Sequence, residues 1–242
     1  MLGGRTIDNG YVQDVLIIGS GEPPPAELLA RWASHADLVI AADGGCVAAR
    51  AAGIEPDVVI GDLDSLPAAL RREASFMPPA VHEHPRDKDW SDLELAIDHA
   101  LASAPDRVTL TGVLRGARTD HELAAVFLLE KLVRAGVRSR ILRLGERLDL
   151  VCDTWISTDL PIGSIVSLLP VTGEVSGIVT EGLRFPLAGE PLRRAASRGL
   201  SNRVVSVPVT VHLQQGLLLI VSQVDAAPHS DRIALGKEPT WG

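Results

Sequence analysis

Aromatic side chains are scarce in this chain: three Phe, four Trp and one Tyr, 3% of 242 residues. A core without them must be assembled from Ala, Val, Leu and Ile, a mixture suited to buried parallel strands covered by helices. Cysteine is scarcer still. Cys46 and Cys152 are too few and too isolated for a disulfide framework or a metal knot, so both read as small buried thiols in a reducing compartment. No apolar run reaches membrane-spanning length, and the first residues lack the basic-then-apolar pattern of an export signal. Positive charge is in deficit as well: 23 Lys and Arg against 31 Asp and Glu give a formal net charge of −8. That balance argues against a general nucleic-acid binder. It leaves a phosphorylated small substrate open, because a metal with a few local cations can hold phosphate on an acidic protein. The Gly-x-x-x-x-Gly-Lys-Ser/Thr loop is missing, which excludes a P-loop kinase. The expectation is a cytoplasmic protein with no nucleic-acid and no membrane partner.

What is present is a 46% hydrophobic chain, enough for one generous domain or two modest ones. Short β-branched runs at Val15–Ile18, Leu38–Ala42, Val58–Ile60, Val108–Leu110 and Arg140–Leu144 predict buried strands, with a further one around Val81. Helical patterns lie between them. Ser91 and Glu94 have capping-box spacing ahead of an apolar face of Leu93, Ala96, Ile97, Ala100 and Leu101. Thr119 and Glu122 repeat the device ahead of Leu123, Val126, Phe127 and Leu129, and Gly136 is placed to end that helix. Strand and helix in alternation predict a parallel sheet with right-handed crossovers. After Leu144 the pattern changes, and residues 164–221 hold several β-like runs with little helical periodicity. Val205, Val207, Val209 and Val211 alternate as a half-buried strand, and Gln214–Gly216 reads as a turn into Leu217–Val221. The division expected is an α/β domain over 14–146 and a β domain over 155–224, with flexible termini at 1–13 and 225–242.

The polar residues of chemical interest follow the predicted strands. Asp43, with Gly44 and Gly45, follows the second; Asp62 and Asp64 follow the third. Asp87, Lys88, Asp89 and Asp92 precede one helix, and Arg118, Asp120 and His121 open another. Open parallel sheets bind ligands outside the carboxyl ends of their strands, so these segments are expected to meet on one rim. Carboxylates gathered there repel one another unless a cation intervenes. Mg2+ suits them, since it takes oxygen ligands, keeps waters and bridges carboxylates to phosphate. Lys88 and Arg118 suit the phosphates, and the helix N-termini at Gly44–Gly45 and Thr119 offer backbone N–H groups. Each piece alone is an ordinary turn or cap. Together they describe a phosphoryl-transfer site.

Beyond this, the chain resembles the thiamine pyrophosphokinase (thiamine diphosphokinase) family over about residues 15–221. The resemblance rests on six segments in order. They are Asp43-Gly44-Gly45; Pro56-Asp57 through Gly61-Asp62-Leu63-Asp64-Ser65; Asp87-Lys88-Asp89-Trp90-Ser91-Asp92; Gly116-Ala117-Arg118-Thr119-Asp120-His121; Ser167-Leu168-Leu169-Pro170 with Gly182-Leu183-Arg184-Phe185; and Ser201-Asn202. It implies a Rossmann-like α/β domain that binds ATP, a C-terminal antiparallel β-sandwich, and a homodimer that binds thiamine. By the same resemblance Asp62, Asp64 and Asp92 hold Mg2+, with Asp43 near the nucleotide beside Gly44, Gly45 and Ser91. Lys88 and Arg118 face phosphates. Asp120, Ser201 and Asn202 orient thiamine, and Phe185 stacks on it. The implied reaction moves the β,γ-pyrophosphoryl unit in one step and releases AMP. Asp92, Asp120 and metal binding alone all stay open as the means of activating the hydroxyl.

Three positions depart from the family pattern. Ala117 stands where Gly is common, and its Cβ would crowd the backbone if that position needs positive φ. Ser91 replaces Thr and keeps the hydroxyl. Phe185 replaces Trp or Tyr, a weaker face for a cation. Competing readings are a related diphosphokinase on a pterin-type hydroxymethyl compound, a non-catalytic nucleotide- or thiamine-binding protein, and a nucleotide-sugar transferase using Asp-x-Asp.

Overall fold

The computed structural model describes residues 12–61, 80–83 and 89–224. Asp62, Asp64, Asp87, Lys88 and both terminal segments lie outside the described residues. The chain divides into two compact units, Met1–Arg143 and Leu144–Gly242.

The first unit is the expected α/β arrangement. Its strands are β1 (Asp14–Ile18), β2 (Leu38–Ala42), β3 (Val58–Gly61), β4 (Ala80–Glu83), β5 (Arg107–Thr111) and β6 (Arg138–Arg143). They run parallel in the order β6-β5-β1-β2-β3-β4. Every strand expected from the apolar runs is present, each within two residues of its expected bounds. The described helices are α1 (Ala26–Ser34), α2 (Gly45–Ala51), α3 (Asp92–Leu101) and α4 (Thr119–Arg134). Strands β1 and β2 are buried at every residue but their first, as strands covered on both faces should be. Leu16, Ile18 and Val39 from the sheet close over Leu29, Ala33, Ala49 and Ile54, an aliphatic core with no aromatic among its fully buried members. Gly53 and Gly136, at φ +71° and +78°, follow the ends of α2 and α4 as expected of helix-stopping glycines.

Two helix details differ from expectation. Ser91 does cap α3, its hydroxyl accepting from the Glu94 N–H at 3.2 Å, but the Glu94 carboxylate instead accepts from Lys131 Nζ of α4 at 3.0 Å. Thr119 is not a cap. Helix α4 begins at Thr119 itself, with Arg118 in extended backbone ahead of it and no side-chain cap. The buried face of α4 is Ala125, Leu129, Leu132 and Val133, while Leu123 and Phe127 are exposed.

The second unit is built from β7 (Glu146–Val151), β8 (Thr154–Ser157), β9 (Ile165–Pro170), β10 (Glu174–Val175), β11 (Val179–Glu181), β12 (Leu192–Arg193), β13 (Asn202–Arg203), β14 (Val209–His212) and β15 (Leu218–Gln223). Strands β13-β9-β15-β7 pair antiparallel, and so do β11-β14-β8. Val166 and Leu168 of β9, Leu218 and Ile220 of β15, Val209 and Val211 of β14 and Trp155 of β8 share one core, so the two layers form a sandwich. The alternation expected from Val205 to Val211 holds only from Val209. Val205 and Val207 are exposed, and Pro208, with no N–H to donate, separates them from β14.

Beside the sandwich core lies a buried polar group. Arg147 Nε sits 2.9 Å from Asp149 Oδ2, two residues along the same face of β7. Arg147 also donates to Ser157 Oγ at 3.0 Å and pairs with Asp159 at 3.3 Å. Its guanidinium stands 5.4 Å from the Trp155 ring centre, and Trp155 Nε1 donates to Asp149 at 3.0 Å.

Candidate active site

Because the six strands of the first unit are parallel, their carboxyl ends form a single rim. The order reverses between β1 and β5, whose onward connections leave in opposite directions. That is the position where open α/β sheets take their ligands. Here the two following loops touch through their backbones. Gly19 N–H donates to Thr111 O at 2.8 Å, Gly21 N–H to Gly112 O at 2.6 Å, and Glu22 N–H to Leu114 O at 3.1 Å. A Cβ on Gly21 would lie 2.9 Å from the carbonyl oxygens of both Gly112 and Leu114. Gly19 and Gly21 therefore make room for the loop after β5.

Asp43 follows β2 directly, at φ +47°, and its N–H donates to Ile60 O at 2.8 Å. A Cβ on Gly61 would come within 3.2 Å of Asp43 Cα, a tight approach that glycine, here at φ +155°, makes without strain at the end of β3. Gly61 is the last described residue before Asp62. The pair Gly44–Gly45 has a packing reason as well as a chemical one: a Cβ on Gly45 would lie 2.0 Å from Ile18 O. The amides of Cys46 and Val47 are engaged by the carbonyls of Asp43 and Gly44, so the expected anion donors at this helix start are partly spent. Asp92 is the first residue of α3, which packs on β2 and β3. Asp43 thus follows a strand against which the helix opened by Asp92 packs.

Arg118 and Asp120 are brought together at the start of α4. Arg118 Nε donates to Asp120 Oδ1 at 3.1 Å and Nη2 to Oδ2 at 2.5 Å, a bidentate pair in solvent. The Arg118 hydrogen bond, then the His121 backbone N–H, hold the Asp120 carboxyl below its usual range, and Asp120 raises the Arg118 guanidinium in turn. Ala117 is absent from the residues at positive φ, so its Cβ carries no backbone penalty; Arg115, two residues earlier, takes φ +57° instead.

In the second unit Phe185 presents its ring to solvent at 65% exposure, while Asn202 is buried at 6%. Asn202 Oδ1 accepts from Phe185 N–H at 3.0 Å and from Arg203 N–H at 2.9 Å, and Nδ2 donates to Phe185 O at 2.7 Å. The amide expected to touch a ligand is engaged with the backbone under the aromatic. Ser201, exposed at φ +56°, is anchored by its own N–H to Ser167 Oγ at 3.0 Å. Arg184, which the sequence reading left without a role, lies over the Phe185 ring. Its adjacency to Phe185 was the available signal.

Among the described residues no three His, Cys, Asp or Glu side chains converge as a metal site. Of the expected ligands, Asp92 is described, and Asp62 and Asp64 are not. The donor set is entirely carboxylate oxygen, which fits Mg2+ and would suit a thiophilic metal poorly. No helix among the described residues is long and apolar enough to cross a membrane.

Comparison with known proteins bears on both units. Residues 29–141 match the model of the thiamin pyrophosphokinase catalytic domain, and residues 155–218 that of the thiamin pyrophosphokinase vitamin B1 binding domain. The thiamine pyrophosphokinase of Bacillus subtilis (strain 168) is 25% identical over 215 residues, covering 88% of this chain and 100% of that protein. The crystal structure of thiamine pyrophosphokinase from Bacillus subtilis aligns with a TM-score of 0.77 at 25% identity, over 88% of this chain and 100% of that one. The protein from Geobacillus thermodenitrificans gives 0.75 at 25% identity, over 88% and 98%. Yeast thiamin pyrophosphokinase gives 0.74 at 14% identity, over 92% and 89%, a likeness of fold.

Proposed function

This chain belongs to the thiamin pyrophosphokinase family and is an enzyme of that kind, and we propose that it moves the β,γ-pyrophosphoryl unit of ATP in one step onto the hydroxyl of thiamine. The observation that carries the proposal is the order of the two family matches. The catalytic-domain model falls inside the first compact unit and the vitamin B1 binding-domain model inside the second. On this reading the α/β domain, 14–146, takes ATP and the β-sandwich, 155–224, takes thiamine. The enzyme works in the cytoplasm as a homodimer.

The thiamine hydroxyl oxygen bonds to the β-phosphorus as the bond from that phosphorus to the bridging oxygen of AMP breaks, and the hydroxyl proton is released. Asp62, Asp64 and Asp92 would hold Mg2+, which when bound offsets negative charge on the phosphate oxygens. Lys88 and Arg118 hold the transferring phosphates, and the Asp120 carboxylate keeps the Arg118 fork aimed. Asp43, Gly44, Gly45 and Ser91 line the nucleotide side. Phe185 stacks on the thiazolium cation, a contact worth about 0.5–2 kcal/mol. Asn202 and Ser201 set the geometry of that aromatic and of its neighbouring strand. Positioning and charge stabilisation supply the rate.

Incubating the protein with ATP, Mg2+ and thiamine and identifying the products tests this. Thiamine pyrophosphate and AMP, both lost in Asp62→Ala, are expected. ADP with thiamine monophosphate would refute one-step transfer, and no product from thiamine would refute the acceptor.

A further inference from the structure

Neighbouring residues in extended chain point to opposite faces, yet Arg184 and Phe185 lie together. Gly182, at φ +78°, turns the chain out of β11, and Leu183 bridges to Val204. Arg184 N–H donates to Arg203 O at 2.9 Å, which pins its backbone. The guanidinium carbon then stands 5.6 Å from the centre of the Phe185 ring, within cation–π range. Both residues are exposed, and among the described residues no carboxylate pairs with Arg184. The two partners differ in freedom. Phe185 is held through its own N–H and carbonyl by Asn202, whereas the Arg184 side chain has several rotatable bonds and, among the described residues, no hydrogen-bond or ion-pair partner.

We infer that Arg184 is an internal competitor for the cation-binding face of Phe185, occupying the ring in the free enzyme and yielding it to the substrate cation. The inference rests on the reading of Phe185 as the aromatic that stacks on thiamine. The sign of the effect does not depend on which face of the ring thiamine takes. On the same face the guanidinium must leave; on the opposite face two like charges stand across one ring and repel. Either way Arg184 weakens binding of a cationic acceptor and leaves an uncharged one of the same shape unaffected. It thereby lowers the gain that stacking would otherwise bring.

Calorimetric titration of thiamine, and of its uncharged thiophene isostere, into the full chain separates the possibilities. Arg184→Gln is expected to tighten thiamine about two- to five-fold, the equivalent of one exposed cation–π contact, and to leave the isostere unchanged. Arg184→Lys, which keeps the charge, should stay near the parent value. In a Phe185→Leu background the Arg184→Gln effect should vanish. If Phe185→Leu weakens thiamine while Arg184→Gln leaves it unchanged or weaker, the competitor role is overturned and the stacking role stands. If Phe185→Leu leaves thiamine binding unaltered, the stacking reading itself is overturned, and the competitor role falls with it.

Discussion

The side chain of Asn202 holds the backbone of Phe185 at both ends, accepting from its N–H at 3.0 Å and donating to its carbonyl at 2.7 Å. A buried amide on one strand thus fixes the residue that carries an exposed ring 17 positions earlier. Replacing it leaves backbone groups without partners, at a cost of about 1–3 kcal/mol. Asn202→Ala is therefore expected to lower the urea midpoint and to raise KM for thiamine while KM for ATP holds. Asn202→Asp keeps the acceptor but loses the donor, and should fall between.

Gly45→Ala and Gly53→Ala separate collision from conformation. The first puts a Cβ 2.0 Å from Ile18 O; the second meets nothing within 4 Å but keeps φ +71°. The expected costs are about 3 kcal/mol for Gly45→Ala, at the upper end of overpacking, and about 1 kcal/mol for Gly53→Ala, the left-handed penalty alone. Thermal melts of the two variants read the difference directly.

Asp149→Ala removes the carboxylate that compensates buried Arg147, an effect of about 3–5 kcal/mol. Replacing both residues with apolar ones of similar volume should cost less, because the buried guanidinium leaves with its Asp149 partner and only Asp159, still held by the Ser157 hydroxyl, loses a contact. Urea unfolding followed by tryptophan emission tests the pair, since Trp155 donates to the same carboxylate.

The Arg118–Asp120 pair predicts a pH response. Asp120 is held below the usual carboxyl range by Arg118, so its charge, and whatever the pair contributes, is fully present above the ordinary Asp pKa. It is lost only as pH falls through the lowered value. A carboxyl-carbon NMR titration should place the Asp120 midpoint below that of a free Asp, and Arg118→Gln should move it upward. The melting temperature near neutral pH should barely change, because both groups are in solvent.

Local signals carried well into the structure, and non-local ones did not. Val15–Ile18 and Leu38–Ala42 read as buried strands because a β-branched run has few other uses. The Ser91 cap was legible because its partner is three residues away. Thr119 misled because identical spacing exists there, while Arg118 occupies the preceding position and turns its guanidinium to Asp120. Of the apolar residues that follow this spacing, Leu129 is buried while Leu123 and Phe127 are exposed, because the face of α4 turned inward is Ala125, Leu129, Leu132 and Val133. Pro208, which has no N–H to donate, ends the valine alternation before β14, so Val205 and Val207 stay outside the strand. Of the candidate site, the rim at Asp43, Asp92 and Arg118 follows from the rule that parallel strands end together. The clamp of Asn202 on Phe185 spans 17 residues and leaves no periodic trace in the sequence.

The backbone contact between the loops after β1 and β5 also sets a clock. Gly19, Gly21 and Glu22 lie outside any strand, yet each amide hydrogen is gripped by a carbonyl at the end of β5 or in the loop that follows it. Such hydrogens exchange with solvent only when both loops part, and neither can part without displacing the other. In deuterated water these three positions will retain their protons on the timescale of the central strands rather than that of a surface turn. A ligand arriving at this stretch of the rim meets a surface that is already set before it lands.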